Sequence, residues 1–181
     1  MNQQPQSTLD LAALFEQHQH GLLGLALRIT GDFALAEDAL QETFLCAHAG
    51  ARSFRGEARP GTWLYRIAVR ESLRVRSRAR RVTSLNQAIS RVSAYQKAEH
   101  SPMDRLAWVE TTWELLRALE SLPEDQRLAL VLLSTRELTA EDVGAMFGIA
   151  AGTVYTRAFR ARLKLRSMLR GANTLDSEVE S

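Results

Sequence analysis

The chain has 181 residues, 45% of them hydrophobic and 24% charged, with four Pro, ten Gly, one Cys and a formal net charge of +2. This composition suits one or two small globular domains and excludes a disordered tail, a collagen-like repeat and a membrane protein, since no run approaches the roughly 18 apolar residues of a span. The single cysteine, Cys46, can form neither an internal disulfide nor a thiolate cage, and the N-terminal MNQQPQSTLD lacks the basic-then-apolar layout of a leader, so a cytoplasmic protein is expected.

The small net charge conceals a segregation. Residues 1–50 hold one arginine against six acids, and residues 51–81 hold ten arginines against two. Residues 82–125 are acidic again, residues 126–170 basic, and the tail from Gly171 acidic. Two basic blocks set between acidic ones describe either solvated helix faces or two anion-binding surfaces, and a polyanion long enough to touch both is most simply a nucleic acid.

In chain order, Leu11, Leu14, Phe15, Leu22, Leu25, Ala26 and Ile29 recur at steps of three and four and predict a first helix from Ser7 to Thr30. Ser7 and Asp10 stand at capping-box spacing, and Gly31 supplies the stop. A second helix is expected from Asp32 to about His48, with Ala36, Leu40, Phe44 and Ala47 facing inward and Glu37, Asp38, Gln41 and Glu42 outward. The run FRGEARPGTW reads as a loop, and a third helix follows from Thr62 to about Arg81. It buries Leu64, Ile67 and Ala68 and carries Arg66, Arg70, Arg74 and Arg78 at four-residue steps as an arginine stripe. Residues 82–101 are polar and read as a linker, partly helical, which leaves the domains on either side free of one another.

Leu106, Val109, Trp113 and Leu116 mark the first helix of a second domain. Pro123, followed by Glu124 and Asp125, reads as the first turn of another helix with the body RLALVLLSTREL. Two short helices then meet at Gly148, from Thr139 to Phe147 and from Ala151 to about Arg170. No segment carries a strand signal. The expected fold is all-α: two small helical bundles, residues 7–81 and 102–170, joined by a flexible linker and followed by an acidic tail over residues 171–181.

The last helix pair has the pattern of a helix-turn-helix. Gly144 suits a close crossing and Gly148 a positive-φ turn, and the next helix presents Tyr155, Thr156, Phe159, Arg160 and, further along, Lys164 on roughly one side. Val154, Ala158, Ala161 and Leu165 can face inward. Such a helix carries polar and basic groups where base edges and phosphates would meet them, although an amphipathic C-terminal helix shares much of the pattern. Phe54, Trp63 and Tyr65 interleave with Arg55, Arg59 and Arg66, which suits single-stranded nucleic acid, with Trp63 better read as a core anchor. The acidic face of the second helix is a solvated surface or the seat of a basic protein partner. Nothing points to an enzyme: there is no Gly-Lys-Ser/Thr phosphate loop, and His18 and His20, two apart, point to different sides of one helix.

The runs AEDALQETF, FRGEARPGTWLYRIAVR and GIAAGTVYTRAFRARLKL, in that order, closely resemble an extracytoplasmic-function (ECF) sigma factor over about residues 10 to 170. The resemblance implies a specificity subunit without cofactor, metal or catalytic site, which joins bacterial RNA polymerase core to promoter DNA and is commonly restrained by an anti-sigma factor. It implies polymerase contacts through Asp38, Gln41 and Glu42. For the −10 element it implies Phe54, Arg55, Tyr65, Arg66, Arg70 and Arg74, and for the −35 element Thr153, Tyr155, Thr156, Arg157, Phe159 and Arg160. Arg70 stands where the family usually has Asn, and Gly144 where it usually has Ala, the latter a change expected to be mild. A free-standing helix-turn-helix regulator is the alternative.

Overall fold

Asp10 starts the first helix. Its carboxylate accepts the Ala13 backbone N–H at 3.0 Å, and α1 runs Leu11–Thr30 until Gly31, at φ +77°, turns the chain. The computed structural model describes residues 9–89 and 114–179, so Ser7 lies outside them, and Asp10 is itself the cap rather than a residue inside the first turn.

Helix α2 spans Phe33–Gly50 and is capped by Asp32. Its buried side is Ala36, Ala39, Thr43 and Ala47, a rotation away from the expected one: Leu40 is half-buried, and Phe44 is 42% exposed, edge-on to Phe15. Small residues let α2 lie close against α1 and α3, and the Thr43 hydroxyl is satisfied by the Ala39 carbonyl at 2.6 Å. After a short 3₁₀ turn, Ala51–Ser53, helix α3 spans Pro60–Ile89. It begins two residues before the expected Thr62, because proline at a first helical position gives up a donor that would have no partner there. It also continues past Arg81 into the stretch read as a linker, whose remainder, residues 90–101, lies outside the described residues.

In the second domain a helix over 114–120 (α4) precedes α5, Glu124–Leu133. Leu106, Val109 and Trp113 lie outside the described residues, and Leu116, Leu119 and Leu122 are buried. Helix α5 stops short of the expected end at Leu138. Ser134 and Thr135 turn their hydroxyls back onto the Val131 and Leu132 carbonyls, and the chain leaves the helix. Helix α6 is Ala140–Phe147, and α7 is Ala151–Val179, so α7 passes Arg170 and continues through most of the acidic tail. No strand occurs among the described residues, and none of their helices is long and apolar enough to cross a membrane.

The expectation that the domains stand apart is corrected. One contiguous apolar cluster takes in Leu22, Leu25 and Leu64 of the first domain and Leu119, Leu122, Leu132 and Leu138 of the second. A polar linker pattern gives no means of anticipating a cluster that the two domains share. Helix α5 packs on α1, and side chains bridge the second domain to α3: Glu124 pairs with Arg76 and Arg80, Asp142 with Arg66, and the Glu137 carbonyl accepts the Thr62 hydroxyl.

Candidate nucleic-acid interface

The helix-turn-helix is built from its caps. The Thr139 hydroxyl receives the Asp142 N–H at 3.1 Å while the Asp142 carboxylate receives the Thr139 N–H at 2.9 Å, so two unpaired donors at the start of α6 are satisfied at once. Gly148, at φ +66°, closes the helix by donating to the Gly144 carbonyl, to which Ile149 also donates at 3.0 Å. A Cβ at Gly144 would come within 2.6 Å of the Ile149 carbonyl oxygen. Alanine there is therefore not the mild change expected from the family pattern: the turn that aims α7 needs glycine.

Val154, Ala158 and Ala161 are buried, which turns Thr153, Tyr155, Thr156, Phe159 and Arg160 to solvent as the spacing predicts. Tyr155, Phe159 and Leu163 form an exposed row at steps of four, each more than half exposed. Leu163 escaped the sequence reading, although its step of four from Phe159 is the signal that finds it. Arg157 differs from its neighbours. It is half-buried and its Nε pairs with Asp125 at 3.2 Å, so it ties α7 to the first turn of α5.

The arginine stripe on α3 is more engaged than its periodicity suggests. Glu71, only 3% exposed, receives Arg70 at 3.1 Å and Arg74 at 3.0 Å, and Arg74 also reaches Glu42 at 3.2 Å. Glu71 was missed by sequence reasoning; it is one of only two acids among ten arginines in residues 51–81, which is its signal. The Cys46 thiol donates to Glu71 at 3.6 Å. Glu42, Cys46 and Glu71 lie close enough to share a cation, but Arg70 and Arg74 already neutralise the two carboxylates.

Arg66 pairs with Asp142 of the second domain at 2.6 Å. Burial opposes ionisation of Asp142, but its hydrogen bonds from the Thr139 backbone, Arg66 and the Thr139 hydroxyl outweigh that and hold its carboxyl below the usual range. Tyr65 is a correction. Expected beside the arginines as a stacking surface, it is 6% exposed, edge-on to His18 with its hydroxyl against Gly21, and burial followed by the charge of Glu137 pushes its pKa up. Phe54 is half-buried against Trp63, ring centroids 5.2 Å apart, beside the exposed Arg55. On α2, Glu37, Asp38 and Gln41 are exposed, whereas Glu42 is drawn toward Arg74.

The molecule thus presents an exposed polar face on α2, an exposed recognition-type helix, and an arginine surface partly occupied by its own acids. The family model for Sigma-70 region 2 matches residues 14–82, and that for Sigma-70, region 4 matches residues 112–165. The ECF RNA polymerase sigma factor SigM of Mycobacterium tuberculosis is 38% identical over 161 residues, covering 89% of this chain and 78% of that protein. The RNA polymerase sigma-H factor of Pseudomonas aeruginosa is 34% identical over 152 residues, 81% of this chain and 79% of the relative. Among solved structures, the sigma factor RpoE in complex with the anti-sigma factor NepR from Bartonella quintana superposes with a TM-score of 0.68 at 27% identity, over 89% of this chain and 97% of that one.

Proposed function

The chain belongs to the ECF RNA polymerase sigma factors of the sigma-70 family, and from that membership we propose that it docks on bacterial RNA polymerase core through α2 and selects promoters through α3 and α7. It is an alternative sigma factor. Its two halves match the two sigma regions in order, which a free-standing regulator would not require. It acts in the cytoplasm, without a catalytic centre of its own, and an anti-sigma factor is the expected restraint. Residues 7–81 serve polymerase docking and the −10 element, residues 82–101 link them to the second half, and residues 102–170 serve the −35 element.

The observation that carries this reading is the exposed row Thr153, Tyr155, Thr156, Phe159 and Arg160, held outward by the glycine-built turn before α7. A helix entering the major groove needs that face free while its back is locked. For the −10 element the contacts are Phe54, Arg55, Arg66, Arg70 and Arg74. On α2 the docking contacts are Asp38 and Gln41, with Glu42 at the edge. Adding the chain to polymerase core and mapping transcript starts tests the whole assignment, with a shared promoter sequence upstream of the starts as the expected result. Asp38→Lys with Gln41→Lys should abolish co-elution with core and leave the helical circular-dichroism spectrum unchanged. Unaltered co-elution removes α2 from the docking surface.

A further inference from the structure

One buried acid underlies the arginine stripe, and its two oxygens hold the two nearest arginines in different ways. Glu71 is 3% exposed, on the side of α3 that meets α2. Its Oε1 accepts the Arg70 Nε at 3.1 Å and the Cys46 thiol of α2 at 3.6 Å. Its Oε2 lies 3.0 Å from the Arg74 Nε, an ion pair off the line of a hydrogen bond. A buried carboxylate without partners is costly, so Glu71 stays where its donors are.

The two arginines are left with different donors for an outside partner. Arg74 also uses its Nη2, which donates to Glu42 of α2 at 3.2 Å, so acids hold it at both ends of its guanidinium. Arg70 has a side chain 67% exposed, and among the described residues only Glu71 engages its guanidinium, through Nε. Its two terminal nitrogens have no partner there. Side chains one residue apart on a helix do not face each other, so Arg70 meets Glu71 only by folding back across the helix surface. That contact limits the directions in which the terminal nitrogens can lie.

We propose that Glu71 is a positioning residue and that Arg70, held by it at Nε, determines sequence preference on α3 by offering its two terminal nitrogens to the O6 and N7 of a guanine in the −10 element. This deepens the reading of α3 as the −10 surface and rests on it. Guanine fits because O6 and N7 are two acceptors side by side, whereas adenine sets an amino donor beside N7 and would oppose it to the guanidinium. An arginine fixed before binding loses less freedom in forming the pair, and its planar fork gives a directional contact that a lysine ammonium lacks. Glu71 touches no base and acts through Arg70. Arg74, held at both ends, contributes charge rather than base choice.

The test reconstitutes the full chain with bacterial polymerase core on a library of promoters randomised across the −10 element, and reads transcript starts together with their template sequences. The parent should favour guanine at one position by about tenfold. Arg70→Lys, an exposed change that keeps the charge, should lose that preference and keep those at other positions, while Arg74→Lys should leave the guanine ratio as it is. Glu71→Gln should lower the ratio several-fold at the same position and nowhere else. Glu71→Asp, which keeps the buried charge but shortens its reach, should lower it less, and supplies the same comparison should Glu71→Gln not fold. The ratio between bases does not depend on how much folded protein is present, so a merely structural Glu71 would lower yield or melting temperature and leave the ratio alone. An unaltered guanine ratio in Arg70→Lys overturns the assignment of Arg70, and an unaltered ratio in the folded Glu71 variants overturns the positioning role. Absence of any transcript with the parent chain refutes instead the sigma reading on which both rest.

Discussion

Arg157 and Arg160 stand one turn apart on the same helix with the same charge, and their surroundings give them different work. Arg160 is exposed among the outward residues of α7, whereas Arg157 is half-buried on Asp125. If Arg160 reads a base edge, Arg160→Ala should cost about 1–3 kcal/mol at one promoter position and relax the preference there. Arg157→Ala should leave sequence preference intact and lower stability by about 0–1 kcal/mol, as for a partly exposed pair. Selection among −35 variants and thermal melting of both proteins separate the two roles; a uniform loss across all variants for Arg160→Ala would make it a phosphate contact. Glu71 illustrates the same dependence on neighbours, since its value lies in orienting Arg70 and Arg74.

At the scale of elements, the two glycines of the helix-turn-helix fail in different ways when replaced. Gly148 has open space where a Cβ would go, and only its positive φ resists substitution. Gly148→Asn should therefore retain more stability than Gly148→Ala, whose left-handed backbone costs about 1–2 kcal/mol. Gly144→Ala meets a backbone carbonyl that cannot rotate away, so α6 and α7 must separate, at about 1–3 kcal/mol for an overpacked site. Urea unfolding of the three variants should rank Gly148→Asn as the mildest. Gly144→Ala should in addition weaken −35 binding beyond its effect on stability, because it changes the aim of α7.

For the whole molecule, the shared apolar cluster and the ion pairs Arg66–Asp142 and Arg76–Glu124 join the two domains, and cooperative unfolding is the expected consequence. Calorimetry of the free chain at low salt should give a single transition whose van't Hoff and calorimetric enthalpies agree. A chain carrying Glu124→Gln, Glu137→Gln and Asp142→Asn should resolve into two transitions, one for each domain, if these pairs couple the two. High salt should move the parent toward the same behaviour, because the ion pairs between the domains each have at least one partly exposed partner and are screened.

Local chemistry determined much of this protein. The stop at Gly31, the start of α2 near Asp32, the Gly148 turn and the inward row Val154, Ala158 and Ala161 follow from short-range spacing, because helix starts, stops and faces are set by residues within a turn or two of each other. The exposed row on α7 and the polar part of the α2 face were legible for the same reason. Tertiary structure decided what spacing could not. Phe44 turned outward because alanines elsewhere on α2 allowed closer packing, and Tyr65 went inside because the space over Gly21 accepted its ring. The arginine stripe found acids distant in the chain. Arg66 and Asp142 are 76 residues apart, and a pairing at that separation depends on how two domains settle against each other, which no local pattern of charge or hydropathy encodes.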